Sequence, residues 1–470
     1  MSQKGVFKVK IGFVPSHRSI FDEKWAINMR KRCLDVFSSI EGLEIIVPDE
    51  KVTKNGLVSS EEDADKTICL FREKEIDGVI IGTMTFGEEV PALKIASAFA
   101  DKPILLFGTK EPPFTPEGKR LSDSFCGTLS ISSGLHRRKI PFLFAGIIFP
   151  EEEEFKRAIE NFVRTCAIVK EFIGARIGQV GPRPRPFETC VFNEAALIER
   201  FDQTIIPVPL SEIFNMANSL SDDDPRVKEV IREIEMQADT SLIKPEALLK
   251  LAKLEVALSR FAEENNLSAM AVQCWDAMQD VYGTASCLPM ARLTDRGIMT
   301  ACEVDVYGAL TMLIQYLASL KKTPPHFIDW TIQHQEKENV FLAWHCGNAP
   351  PSLACKGCKR FVREHFIMEN TKPGKACGTI EFQLKPGVVT ICRLIEYDGE
   401  FKMLVTKGEI KQSADNIRGA WSWVEVPNLK FLYRVLVEEG FIHHASMIHG
   451  DYTEAIIDAC RLLGIETIVV

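Results

Sequence analysis

The stretch Asp77–Thr109, "DGVIIGTMTFGEEVPALKIASAFADKPILLFGT", decides the fold. Its two runs "GVIIGT" and "PILLFGT" are apolar at successive positions rather than alternating ones. A strand of that kind is buried on both faces, as in a parallel sheet covered by helices. Between the two lies "PALKIASAFA", a helical segment that serves as the crossover which parallel strands require. The loops "GTMTFGEEVP" and "GTKEPPF" follow the strands, beyond the carboxyl ends where open α/β sheets bind ligands.

The same alternation extends upstream. "VKIGFVP" is an apolar strand, and "DEKWAINMRKRCLDVFSSI" spaces Trp25, Met29, Cys33, Val36 and Phe37 on one helical face behind an acidic start. With "LEIIVP" and "ADKTICLFREKE" these predict an N-terminal α/β domain over residues 1–170. A second α/β domain is expected over 171–339. Its strands include Ala175–Val180, "TIIPVP" and "SAMAVQCW"; its helices include "DPRVKEVIREIEMQA", "KPEALLKLAKLEVALSRFAEENN" and "DVYGALTMLIQYLASL"; a short strand, "PPHFIDW", follows. From 340 to 470 short β-rich runs take over, with turn residues at Pro386-Gly387 and Asp398-Gly399 and two closing helices. The expected fold class is therefore α/β, two doubly wound parallel domains followed by a mainly antiparallel, barrel-like β domain.

Composition narrows the function. A net charge of −9 over 470 residues disfavours a nucleic-acid partner, which needs a basic face. No apolar run reaches membrane-spanning length and the N-terminus lacks a signal-peptide core, so no membrane partner and a cytoplasmic location are expected. Fourteen cysteines scattered over this length read as reduced thiols rather than a disulfide framework. Cys355-x-x-Cys358, with Cys346 and His365, has one zinc-like spacing but no second pair to complete a familiar module, so thiols in a loop are expected there.

Four places could carry chemistry. Glu303 and Asp305 in "TACEVDVYGAL" sit at a strand-to-helix turn, a catalytic position or simply an acidic helix start with Asp305 as cap. Asp329 in "HFIDWT" ends an apolar strand, where a carboxylate is costly without a partner. His345 ends "VFLAWH". His443 and His444 are adjacent, so in an extended segment one of them at most faces a given site. Carboxylates with one or two imidazoles suit Mn²⁺ or Mg²⁺ better than zinc. The basic runs Arg183 to Arg185 and His136 to Lys139 could meet an anionic ligand terminus, or be solvated loops.

Asp329 follows Glu303 by 26 positions and His345 follows Asp329 by 16. With "ACEVDVYGALTMLI", "FIDW", "WHCGNAP" and "FIHHASMIHGD" in that order, the chain resembles the L-fucose isomerase and L-arabinose isomerase superfamily over nearly its whole length. The resemblance implies a metal-dependent aldose–ketose isomerase acting on a free or modified monosaccharide. It implies Glu303 and Asp329 as catalytic carboxylates that also bind Mn²⁺, His444 as a further ligand with His443 as alternative, and His345 as a fourth ligand. Arg18, Gln273, His443 and Trp421 fall among expected substrate contacts; Trp421 and Trp423 are equally candidates for ordinary core aromatics. In the family the counterpart of Arg18 reaches a neighbouring subunit's site, which implies a homo-oligomer, trimer or hexamer, with sites near interfaces. Competing functions on this scaffold are a non-catalytic sugar-binding or sensor protein and a metal-dependent epimerase or lyase.

Overall fold

The computed structural model describes residues 7–470. The chain divides into two compact units, Met1–Lys170 with Arg461–Leu463, and Glu171–Cys460 with Gly464–Val470.

The first unit is built on five parallel strands, β1 (Val9–Ser16), β2 (Leu43–Ile46), β3 (Gly78–Thr83), β4 (Ile104–Gly108) and β5 (Leu143–Ile147), in the order β2-β1-β3-β4-β5. Helices α1 (Glu23–Phe37), α2 (Glu61–Lys74), α3 (Glu89–Ala98), α4 (Ser124–Arg137) and α5 (Glu153–Phe172) alternate with the strands. Every residue of β3 and β4 is buried, which is why these strands read as unbroken apolar runs. Asp22 and Ser60 cap α1 and α2 by accepting from the amides of Trp25 and Asp63. At Gly127, α4 lies so close to the carbonyl of Phe86 that any Cβ would collide with backbone.

The second unit opens with four parallel strands, β6 (Arg176–Val180), β7 (Thr204–Val208), β8 (Ala269–Val272) and β9 (Met299–Cys302), in the order β7-β6-β8-β9. Its helices are α6 (Glu194–Phe201), α7 (Leu210–Ser219), α8 (Pro225–Gln237), α9 (Pro245–Glu264), α10 (Cys287–Asp295) and α11 (Val306–Ala318). All thirteen residues of α11 are buried, as expected of a helix that is apolar all round. It lies between β8 and β9 on one side and strands of the following β structure on the other.

That β structure contains β10 (His326–Gln333), β11 (Val340–His345), β12 (Phe361–Glu364), β13 (Cys377–Gln383), β14 (Gly387–Tyr397), β15 (Glu400–Lys411), β16 (Ala420–Glu425), helix α12 (Leu429–Glu438), β17 (His444–His449), helix α13 (Thr453–Leu463) and β18 (Glu466–Val469). Six strands close into an antiparallel barrel, β16-β11-β10-β17-β14-β15, sealed by pairing of β15 with β16. Its first strand, β10, precedes residue 340, where the β-rich character of the sequence begins. Ile328, Phe341, Ala343, Ile391, Leu404, Val424, Ala445 and Met447 belong to its core. Closure removes the unpaired edges an open sheet would expose.

The Asp398-Gly399 turn joins β14 to β15, and both residues have the positive φ of a two-residue hairpin turn, 55° and 84°. The turn residues Pro386-Gly387 do not make a hairpin. These residues connect β13 to β14, but β13 pairs with β12 and β16 instead. Gln315 in the middle of α11 is fully used. It donates to the carbonyls of Thr390 and Ser446 at 3.1 and 2.9 Å and accepts from the Ser446 hydroxyl at 2.6 Å, pinning β14 and β17 to the helix.

His326 is wholly buried, and burial holds its ring down to about 3. An unfolded histidine binds its proton near 6.5, so between pH 6.5 and 3 the unfolded chain gains a proton that the folded one refuses. Wild-type stability is therefore expected to fall relative to His326→Gln by up to about 1.4 kcal/mol per pH unit over that window. Urea unfolding of both proteins between pH 6 and 4 checks this; parallel acid limbs would refute it.

Candidate functional site

Glu303 follows the last residue of β9. Glu303 and Val304 both have φ near 58°, a conformation unfavourable for a non-glycine residue and most of all for a β-branched one. Strain of this kind persists only where surrounding structure over-determines it, and functional sites are where it concentrates. Here the turn is anchored by Asp305, whose Oδ1 accepts from the amide of Gly308 at 2.8 Å and so caps α11. The turn projects the Glu303 carboxylate against Trp275, whose indole N–H donates to Oε1 at 2.8 Å.

Asp329 and His444 come from β10 and β17 and stand directly opposite each other in the antiparallel register. Side chains at such paired positions share one face of the sheet. His444 Nε2 lies 3.1 Å from Glu303 Oε2 and 3.7 Å from Asp329 Oδ1. None of these three atoms has a hydrogen-bond partner, although all are buried; the close Glu303–His444 approach is not aligned as a hydrogen bond. The other ring nitrogen, Nδ1, is 2.8 Å from Asp305 Oδ2. Arg393, on β14, grips Asp305 through both terminal nitrogens, and both residues are 1% exposed.

Charge follows from this packing. Burial opposes ionisation of Asp305, but the Arg393 guanidinium and His444 overcome it and hold the carboxyl well below its usual range. Burial pushes Asp329 up to about 7; the neighbouring His444 opposes the rise and the Glu303 carboxylate adds to it. Burial also works against a proton on His444, but its bonding to Asp305 and the carboxylate charge outweigh it and raise the ring well above an ordinary histidine.

Four groups of three side chains could each hold a cation, among the described residues. Three of them share His444: with Cys190 and Asp305, with Glu303 and His443, and with Asp329 and His345. The fourth joins Cys274, Cys302 and Glu303. Glu303, Asp329, His345, His443 and His444, singled out from sequence, therefore meet in one cluster within the second unit.

The remaining expectations divide. Gln273 follows β8 by one residue and lies beside Gly181 and two positions before Trp275. Trp421 pairs in register with Trp344, the neighbour of His345, and is 3% exposed. Trp423 is turned elsewhere, with its indole N–H on Asp415 and its ring against His334. Arg18 belongs to the first unit, where it meets Glu88 and Glu89 and stacks 4.0 Å over Phe86. His136, in the same unit, packs edge-on against Phe142. Arg183 is half-buried with Nη1 lacking a partner, and Arg185 is exposed.

Cys355 and Cys358, expected as reduced thiols, are brought side by side with their Cα atoms 5.3 Å apart, within bridging range. Cys346 packs instead with Ala285 and Cys287, and His365 with Trp275, so the four residues of the zinc alternative do not form one ligand set.

Sequence inspection missed Arg393 and Trp275 and left Asp305 between a catalytic position and a helix cap. Arg393 carried a signal: a lone arginine inside the apolar run "TICRLIEY" must find a buried carboxylate.

Comparison with known proteins gives the family. Residues 12–173 match the model of the fucose/sulfoquinovose isomerase N-terminal domain, and residues 343–470 that of the L-fucose isomerase C-terminal domain. The chain belongs to the L-fucose isomerase and L-arabinose isomerase superfamily. It is 26% identical over 462 residues to sulfoquinovose isomerase of Priestia aryabhattai, covering 97% of this chain and 98% of that protein. A second sulfoquinovose isomerase, from Alkalicoccus urumqiensis, is 27% identical over 402 residues, 83% of this chain and 86% of that protein. L-arabinose isomerase of Bacillus subtilis (strain 168) is 22% identical over 459 residues, 92% of this chain and 89% of that protein. Membership in this superfamily makes the chain one of the aldose–ketose isomerases. No helix among its described residues is long and apolar enough to cross a membrane.

Proposed function

We propose that this protein is a divalent-metal-dependent aldose–ketose isomerase that works through an enediol, with Glu303, Asp329 and His444 holding the cation. One observation carries the reading. Glu303 Oε2, Asp329 Oδ1 and His444 Nε2 are buried, the two oxygens stand 3.1 and 3.7 Å from the shared imidazole nitrogen, and none has a hydrogen-bond partner. Burial above all, with the Glu303 charge adding to it, pushes the Asp329 carboxyl up to about 7, so it does not readily stay charged there unaided. A cation satisfies all three atoms, and two carboxylates with one imidazole suit Mn²⁺, with Mg²⁺ as alternative. Such an ion would stabilise the charge that develops on the sugar's two oxygens as the enediolate forms.

The protein groups supply the proton traffic. Isomerisation moves one proton between C1 and C2 and one between their oxygens. Glu303 and Asp329 can share these tasks, one taking the carbon-bound proton while the other protonates the oxygen, with roles exchanged in reverse. Trp275 holds Glu303 Oε1, which leaves Oε2 turned to the cluster. Asp305 fixes the ring of His444 by accepting its Nδ1–H, which leaves Nε2 as the nitrogen from which a cation would displace the proton.

The substrate is a free or modified monosaccharide. Sulfoquinovose and L-arabinose, named for the relatives, head the panel to be tried. Homo-oligomerisation, as trimer or hexamer, and a cytoplasmic location complete the proposal; light scattering of the purified protein addresses the first. For the central reading, Mn²⁺-loaded protein is incubated with each aldose in D₂O and followed by NMR. A ketose should form with at least one sugar, stop with EDTA and resume with Mn²⁺. Sugar binding that ignores EDTA, with no turnover across the panel, would reject it.

A further inference from the structure

Cys358 and Lys359, in the loop that does not complete a zinc set, line a cavity of about 220 Å³ within the second unit. Gln383 and Trp421, register partners on β13 and β16, line it as well. Two nitrogens of its lining side chains are buried without a hydrogen-bond partner, Arg363 Nε and Gln383 Nε2. Gln383 is 9% exposed, and its Oε1 is met by the Cys355 sulfur at 3.9 Å. The loop is clamped to the same residue, because the Cys355 amide donates to the Gln383 carbonyl at 2.9 Å. The Arg363 guanidinium stacks 4.5 Å over the Phe361 ring, which orients its plane. Both unpartnered groups are N–H donors and neither can accept. Buried donors left without an acceptor are costly, so what satisfies them must bring oxygens.

Charge selects the kind of oxygen. The lining holds three cations, Lys359, Arg363 and Arg418, against two carboxylates, Glu381 and Asp415. Both carboxylates are occupied. Arg418 grips Glu381 through two nitrogens at 2.7 and 3.0 Å, while Arg363 approaches it only to 3.8 Å. Asp415 accepts from the Ser413 hydroxyl and the Trp423 indole, each at 2.7 Å. Arg363 and the exposed Lys359 therefore leave positive charge facing the cavity.

We propose that this cavity is an oxyanion-binding site, taking a phosphate or carboxylate group whose oxygens accept from Arg363 Nε and Gln383 Nε2, with Lys359 at its mouth. The site shares a sheet face with the cation cluster. Asp329 stands beside Trp344, Trp344 beside Trp421, and Trp421 beside Gln383. Three strand spacings separate the ends of this row, about 14 Å between backbones, and the side chains narrow that gap. The oxyanion is either free in solution or the far terminus of a substrate whose reacting end lies at the cluster. Binding itself needs neither metal nor turnover, so it stands or falls apart from the isomerase reading; only the second source rests on that reading.

Calorimetric titration of the metal-free full-length protein with inorganic phosphate, against chloride at matched ionic strength, tests the site. One phosphate per chain should bind saturably. Arg363→Met should weaken binding by about tenfold or more and Gln383→Leu by about 2- to 10-fold, the worth of one charge-assisted and one neutral hydrogen bond. In the wild type, phosphate should slow acetylation of Lys359 and spare the nearby exposed Lys356, as mapped by mass spectrometry; this needs no variant. With a turned-over anionic aldose in hand, phosphate that raises its KM competitively marks the substrate's own terminus as the occupant, and an unchanged KM marks a free anion. The site is overturned if chloride matches phosphate, if Lys356 and Lys359 are protected alike, or if neither variant changes the affinity.

Discussion

Glu303→Gln is expected to lower the rate of sugar interconversion by about 10³-fold or more, within the range lost when a positioned acid–base group is removed. The amide keeps the length and shape of the side chain, and its oxygen can still accept from the Trp275 indole. It can neither take a proton from carbon nor contribute a negative charge to the cation. Stability should move differently from activity. In metal-free protein the substitution removes one of the two carboxylates whose proximity helps to raise Asp329, so the unfolding midpoint should not fall. Initial rates with Mn²⁺, paired with thermal unfolding with and without it, test both halves. A Glu303→Gln enzyme within tenfold of wild type would show that Glu303 is not the proton carrier.

The second large effect is expected at a residue that supports the site through Asp305. Arg393→Met should destabilise the protein by about 3 to 5 kcal/mol, because it strands the buried Asp305 charge. Methionine fills much of the volume but offers no partner, and Asp305 is left with His444 and the Gly308 amide. Asp305→Asn should be gentler on folding and harsher on the site. It keeps the cap geometry but cannot carry the charge that orients His444, so Mn²⁺ affinity is expected to fall about 10- to 100-fold. Urea unfolding of metal-free variants and Mn²⁺ titration separate these outcomes. If Arg393→Met costs under about 1 kcal/mol, the pair does not hold the site together in the way its burial implies.

Much of this architecture was legible in the sequence, and the limits have physical causes. Strands β3 and β4 announce themselves because burial on both faces leaves no polar position. The Asp398-Gly399 turn is legible because positive φ at two successive residues restricts the amino acids that fit. Pro386-Gly387 marks a turn between strands, but turn chemistry specifies a change of direction and not which strands pair afterwards. Glu303, Asp329 and His444 stood out as polar residues at the ends of apolar segments. The support beneath them did not. Arg393 reaches Asp305 across 88 positions, and Trp275 reaches Glu303 across 28, through contacts that no local pattern encodes.

The register of β10 against β17 has a consequence for how the molecule matures. Asp329 and His444 face each other only in the observed pairing, and a slip of one residue would send one of them to the opposite side of the sheet. The two strands are also neighbours in the closed ring of the barrel. A chain whose barrel is open or mis-registered therefore cannot bring these two side chains together. Cation uptake during refolding would then serve as a proofreading signal, rising only with the fraction of molecules whose strands have settled in the correct frame.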